Sequence, residues 1–410
     1  MFIMKIKKIL TVFIAMFILT SMGSCKKDNW AVKIDDDVIT IDEFNNYYYT
    51  QNKIILNKSK KEINELAKDP AYKEHPTLNK NNFMDFLISR KLLYKKALSD
   101  DSLSKDVIET VTDLFTLQGV STYYLTEKLK DEVSVTDNEI DDFYKKNRSL
   151  FKGVPINNDI AERIKQQIFL QKFEQKSSEF VMELIAESKV VKDGFQKYMT
   201  ELTKKGEKKD AKDKKKIDLD ETAVIIDKEK ISLKKFLDYY YTQNKILLNM
   251  SNEEIDKIAA EPYAENHPTL NKQKFMDFLI SRKLLYKKTM EDKTLNKDDI
   301  ETIIDLFKLQ GVATYYLTEK LKDQVEITDE EIEKFYVNNK KLFKGVPINE
   351  EVANRIKQQL FLQKFEQKSS EFVMNLIAEA MVNREGFRKY LQKEQEEQNK
   401  PEGENNKQTE

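Results

Sequence analysis

The chain carries one long segment twice. Ile39 to Tyr198 lies over Ile231 to Tyr390 without a gap, at a constant offset of 192 positions (39 against 231, 198 against 390), and roughly two-thirds of the positions are identical. Some blocks are copied outright, such as FMDFLISRKLLYKK at Phe83–Lys96 and Phe275–Lys288, and QKFEQKSSEFVM at Gln171–Met182 and Gln363–Met374. A unit this long far exceeds the roughly 20–50 residues of a solenoid repeat. It reads as a whole domain, duplicated. Any site assigned to one copy must therefore be weighed against its counterpart in the other.

Glycine and proline are scarce, at 9 and 7 of 410 residues, which disfavours a turn-rich β architecture and favours long helices. Net charge is −1 with acids and lysines interspersed, a pattern of solvated helix faces without a sustained basic patch for nucleic acid. The expected fold is mainly α, with two tandem homologous helical domains at 30–200 and 221–393, each opening on a short β-hairpin and each folding separately. The lysine-rich run at Thr203–Lys216 sits in an expected linker at 201–220, too polar to bury. Residues 394–410, rich in Gln, Asn and Glu, read as a disordered tail.

The N-terminus reads as a targeting segment, expected to end at residue 24. Lys5, Lys7 and Lys8 precede the apolar run Ile9–Met22, which falls short of the roughly 20 residues of a membrane span. Gly23-Ser24-Cys25 follows and resembles a bacterial lipobox, although Met22 stands where Leu is usual. The resemblance implies lipid attachment at Cys25, the single cysteine of the chain. Intrachain disulfides are then excluded. Lys26–Asn29 would be a tether of at most about 17 Å.

Each copy reads alike. An alternating segment and a polar turn (Asp35-Asp36-Asp37; Asp227-Lys228-Glu229) form a hairpin. Thr40-x-x-Glu43 is a capping-box pattern, of which the second copy keeps Ser232 but has Lys235. Further boxes open at Ser59, Ser251, Thr136 and Thr328. Phe83–Lys96 is the most apolar helix, expected at the centre of the core. Asp159 to about Ser188 reads as a helix of some 30 residues, about 45 Å long. Lys189-Val190-Val191 is placed as a strand returning beside the opening hairpin.

Three stretches in this order resemble the N-terminal chaperone domain of the SurA/PrsA-type periplasmic foldases: Ile39–Phe44, Phe86–Tyr94, and Val135–Ile140 continuing through Phe143-Tyr144 and Asn147 to Phe151. The second copy matches at Ile327–Ile332, Phe335-Tyr336 and Asn339–Phe343. In that family a parvulin isomerase domain is usually inserted after the third stretch. Here Phe151-Lys152-Gly153-Val154-Pro155 runs almost directly into the last long helix, so the resemblance implies a twin chaperone-type domain without the isomerase. It implies a membrane-anchored envelope lipoprotein, at the periplasmic face of the outer membrane, that holds non-native or extended polypeptides. A surface-exposed lipoprotein binding a dedicated partner or host molecule is the alternative; a peptidyl-prolyl isomerase ranks below both.

Successive helix residues lie about 100° apart, so the triplet Tyr47-Tyr48-Tyr49 is expected to leave at least one ring partly exposed, as is Tyr239-Tyr240-Tyr241. With Tyr123, Tyr124, Tyr315 and Tyr316 these are the candidate polypeptide-binding residues, because tyrosine offers apolar area with a polar tip. Arg90 and Arg282, inside the most apolar helix, are expected to pair with a carboxylate. His75 and His267 read as polar loop residues; neither copy offers a second histidine or a cysteine for a zinc site. No catalytic residue, cofactor or metal site is proposed.

Overall fold

A computed structural model describes residues 29–151, 154–207, 217–340, 342–343 and 346–398. The expected signal segment, Cys25, the centre of the expected linker and residues 399–410 lie outside them. The chain is mainly helical. In copy one, β1 (Trp30–Ile34) and β2 (Asp37–Thr40) precede α1 (Ile41–Leu56), α2 (Lys60–Lys68), α3 (Lys80–Ser99), α4 (Lys105–Leu129), α5 (Asp137–Lys146) and α6 (Asn158–Glu187). Then come β3 (Val190–Val191) and α7 (Asp193–Glu207). Copy two repeats the series as β4 (Thr222–Ile226), β5 (Glu229–Ser232), α8 (Leu233–Leu248), α9 (Asn252–Ala259), α10 (Lys272–Glu291), α11 (Lys297–Leu321), α12 (Asp329–Asn338), α13 (Glu350–Glu379), β6 (Val382–Asn383) and α14 (Glu385–Gln398). The last helix runs five residues into the expected tail, and α7 reaches into the expected linker.

Local chemistry sets these boundaries. Capping boxes open α2, α5, α9 and α12, through Ser59/Glu62, Thr136/Glu139, Ser251/Glu254 and Thr328/Glu331. Each satisfies orphan N–H groups at a helix start. Thr40 and Glu43 exchange the same pair of bonds before α1, whereas Ser232 only accepts from the Lys235 amide. Asp35 and Asp227 turn the two hairpins with φ of 50° and 53°, a left-handed conformation that Asp tolerates.

The structure corrects two expectations about organisation. The closing strand returns beside a hairpin, but not its own: β3 pairs with β4, and β6 pairs with β1. The sheets run β2-β1-β6 and β3-β4-β5, with Ile34 opposite Val382 and Ile226 opposite Val190. Nor do the compact units follow the copies. One holds 1–47 with 375–410, the other 48–374.

In the larger unit, one core joins Leu114, Leu117, Tyr124, Leu184, Phe195 and Tyr198 of copy one to Val224, Phe236, Tyr240, Phe275, Leu279 and Leu285 of copy two. Helix α4 packs on α10, and α11 on α3, each across the repeat boundary. The physical reason is the apolar character of α3 and α10 on more than one side. Each side chain fully removed from water contributes roughly 1.5–3 kcal/mol, so both sides need a neighbour, and the other copy supplies one. In the smaller unit, Phe44 is sealed against Phe387, with ring centroids 4.8 Å apart, and the Tyr390 hydroxyl donates to Asn45 Oδ1 at 2.9 Å.

Candidate polypeptide-binding surface

Eight of the ten candidate tyrosines are core residues: Tyr47, Tyr48, Tyr123, Tyr124, Tyr239, Tyr240, Tyr315 and Tyr316 are buried. Tyr49 and Tyr241 are half-buried. As the spacing predicts, one ring of each triplet stays partly exposed; the other two are buried because α1 and α8 meet several elements at once. The Tyr48 ring packs on Phe83 while its hydroxyl donates to Leu78 O at 2.8 Å; Tyr49 donates to Asn64 Oδ1 of α2. In copy two, Tyr239 donates to Asp113 Oδ2 at 3.0 Å, Tyr240 to Leu270 O and Tyr241 to Asp256 Oδ2. Burial raises the pKa of all three phenols, keeping them neutral, with nearby carboxylates adding to the effect. Tyr124 and Tyr316 are covered by Phe180 and Phe372 of the long helices α6 and α13. The eight buried rings hold the fold together, and only Tyr49 and Tyr241 keep part of their surface exposed.

Arg90 and Arg282 also depart from expectation. Each guanidinium lies over a phenylalanine of its own helix, Arg282 at 4.0 Å from the Phe278 centroid and Arg90 at 5.1 Å from that of Phe86. Arg282 further donates to Gln118 Oε1 at 3.4 Å. Burial pushes Arg282 down to about 10. A guanidinium is weakly hydrated and planar, so an aromatic face substitutes for the expected carboxylate. His75 and His267 are loop residues: Nδ1 of each accepts from two backbone amides, those of Thr77 and Leu78 and of Thr269 and Leu270. Among the described residues, no group of three His, Cys, Asp or Glu side chains could hold a metal ion. No helix there is long and apolar enough to cross a membrane.

Part of the exposed apolar surface lies on two equivalent arms. In copy one, α5 folds onto the first half of α6 around Ile140, Ile164 and Ile168, a small core of its own with Phe143, Tyr144 and Phe151 at its edge. Copy two builds the same arm from Ile332, Val352 and Ile356 with Phe335, Tyr336 and Phe343. Asn157 and Asn349 cap the long helices. Lys172 ties α6 back to Glu139 at 2.6 Å and to Ser134 O; Lys364 does the same with Glu331 and Glu326 O. The connecting loop is pinned by a tyrosine hydroxyl, Tyr144 to Val154 O and Tyr336 to Val346 O, both at 2.6 Å.

This frame presents apolar side chains outward. Leu150 is 70% exposed and Leu342 69%; Leu170 is 61% exposed and Leu362 65%. Val154, Ile156, Val346 and Ile348 are exposed beside them. Leu170 lies about 200° around the helix from Ile168, so it points away from the arm's own core. Next to it, Phe169 stacks on Phe173, as Phe361 does on Phe365, with centroids 5.9 and 5.7 Å apart. All four rings are only partly buried. The signal for this surface was in the sequence: every one of these exposed apolar residues is unchanged between the copies, whereas exposed Val38 and Val337 stand opposite Lys230 and Lys145. Exposed apolar side chains repeated on a braced frame suit contact with another polypeptide. No protein-family model, curated protein or solved structure matches this chain.

Proposed function

We propose that this chain is an envelope lipoprotein that holds non-native or extended polypeptide on its two arms, without nucleotide or covalent chemistry. The observation that carries this reading is the outward set Leu150, Val154, Ile156 and Leu170, repeated residue for residue at Leu342, Val346, Ile348 and Leu362. Apolar side chains kept exposed at the same places in both copies are suited to passing contact with client chains. The resemblance of both copies to foldase chaperone domains points the same way. Lipidation of Cys25 would keep the arms at a membrane surface. Its check is replacement of Cys25 by Ala, which should move the protein from the membrane to the soluble fraction.

The test of holding is light scattering of several unrelated denatured clients diluted into the mature protein without nucleotide. Suppression across clients is expected. Failure on every client would sink the holdase reading. One observation favours the second reading, a dedicated partner: Phe169–Met182 is identical to Phe361–Met374 over its whole length. That is stricter than sequence-tolerant binding requires. Crosslinking from the arms in intact cells separates the two, with many adducts for a holdase and a single one for a fixed partner.

A further inference from the structure

The contacts between the copies are reciprocal. Gly119 on α4 leaves no room for a Cβ against the Phe307 ring of α11, and Gly311 on α11 leaves none against Phe115 of α4. These are the same two positions, exchanged. Lys128 pairs with Asp292 and Lys320 with Asp100, each at 2.5 Å, again the same pair exchanged. Within the larger unit, Gly194 of α7 sits against the Thr222 carbonyl of β4; within the smaller, Gly386 of α14 sits against the Trp30 carbonyl of β1. The strand exchanges have matching registers. A surface whose residue i meets j while j meets i is what a pair of identical chains presents.

We infer that a single repeat carries a self-complementary face and pairs with a second copy of itself in the arrangement the two repeats adopt here. The chain is then a joined form of that pair, and its linker is not what holds the halves together. The sequence differences say which repeat does this better. Lys235 meets Asp113 at 3.1 Å and Tyr239 donates to the same carboxylate, while Lys53 meets Asp299 at 3.3 Å. In a pair of second repeats, Asp305 takes the place of Asp113 and Lys245 that of Lys53, so both contacts survive. In a pair of first repeats, Glu43 would stand where Lys235 does, facing Asp113, and Val107 would replace Asp299. The second repeat is therefore the self-pairing one.

The experiment starts from the full mature chain carrying a specific protease site within 208–216. After cleavage, the fragments are expected to co-elute at the mass of the intact protein. Separated in denaturant and refolded, the second-repeat fragment should show twice its own mass by light scattering. Asp305→Lys should weaken that dimer roughly tenfold or more, because like charges would then face each other. A folded, monomeric second-repeat fragment would overturn the inference. Should the fragment alone remain unfolded, a full-length tandem of two second repeats decides. Cooperative unfolding with the parent's helix content supports self-complementarity, and a molten species overturns it.

Discussion

Phe307 and Leu170 are both apolar residues that the duplication kept, as Phe115 and Leu362, yet they live in opposite surroundings. Phe307 is buried against the bare backbone of Gly119; Leu170 faces away from its own arm's core and is mostly exposed. Retention at the first position follows from packing density, since a ring seated on a glycine tolerates neither a smaller ring nor a larger neighbour. At the second, packing explains less, because Leu170 is mostly exposed among the described residues. The comparison separates residues kept for the fold from residues kept for something the fold meets.

The sharpest way to break this contrast is to truncate both classes. Phe307→Ala should cost roughly 3–5 kcal/mol, the range for a buried phenylalanine that leaves a cavity. Gly119→Ala should cost about 1–3 kcal/mol by overpacking the same ring. Leu170→Ala combined with Leu362→Ala should stay within about 0.5 kcal/mol per site, as exposed substitutions do. Urea unfolding of each variant measures all three. Equal losses at both places would make the arms part of the core and dissolve the distinction.

The converse experiment reads function. Asp at Leu150, Leu170, Leu342 and Leu362 should leave the unfolding midpoint nearly unchanged while the protein concentration needed for half-suppression of client aggregation rises about tenfold, since one lost leucine contact is worth about 1.5–3 kcal/mol. Altering a single arm should give an intermediate rise. An unaffected suppression curve would move the binding surface off the arms.

Much of the fold was legible because it is local. The capping boxes, the hairpin turn at Asp35 and the long helix from Asn158 to Glu187 all rest on side chains a few residues from what they satisfy. The existence of β3 was legible too; its partner was not, since Val190 fits either hairpin equally well and only tertiary packing chooses. The same gap hides how deeply most of the candidate tyrosines are buried. Counting 100° per residue does leave one ring of each triplet partly exposed, Tyr49 and Tyr241, but it does not show that Tyr48 and Tyr49 reach α2, α3 and the loop at Leu78 together. The arms escape sequence reading because apolar residues on a long helix look like core, yet Phe173 is half-exposed and Leu170 exposed.

Acid should sharpen the seam side of the comparison. Ion pairing holds the carboxyls of Asp100, beside Lys320, and Asp292, beside Lys128, down to about 2. An unfolded Asp titrates near 3.9, so these groups contribute stability that is present above about pH 4 and lost as pH falls towards 2. Asp100→Asn with Asp292→Asn should flatten the decline in stability across that window. Glu62 and Glu139 titrate in the same range but are untouched, so the difference between parent and variant isolates the seam. Parallel acid curves would show that these pairs contribute nothing measurable.

The smallest effect concerns one of the places where the two halves of the seam differ. Lys53 sits between Glu127 at 3.0 Å and Asp299 at 3.3 Å, and the Tyr123 hydroxyl donates to the same Asp299 oxygen. Burial opposes the charge on Lys53, but the two carboxylates outweigh it and raise the ammonium above its ordinary value. In copy one the position of Asp299 is Val107, so Asp299→Val makes the copies alike there. Lys53 keeps Glu127 and remains about a third exposed, so solvent screens most of the lost attraction. The loss should stay below about 1 kcal/mol and shrink further in high salt. A loss of several kcal/mol that salt does not reduce would mean that Asp299 acts through a buried bond to Tyr123, and Tyr123→Phe should then reproduce it.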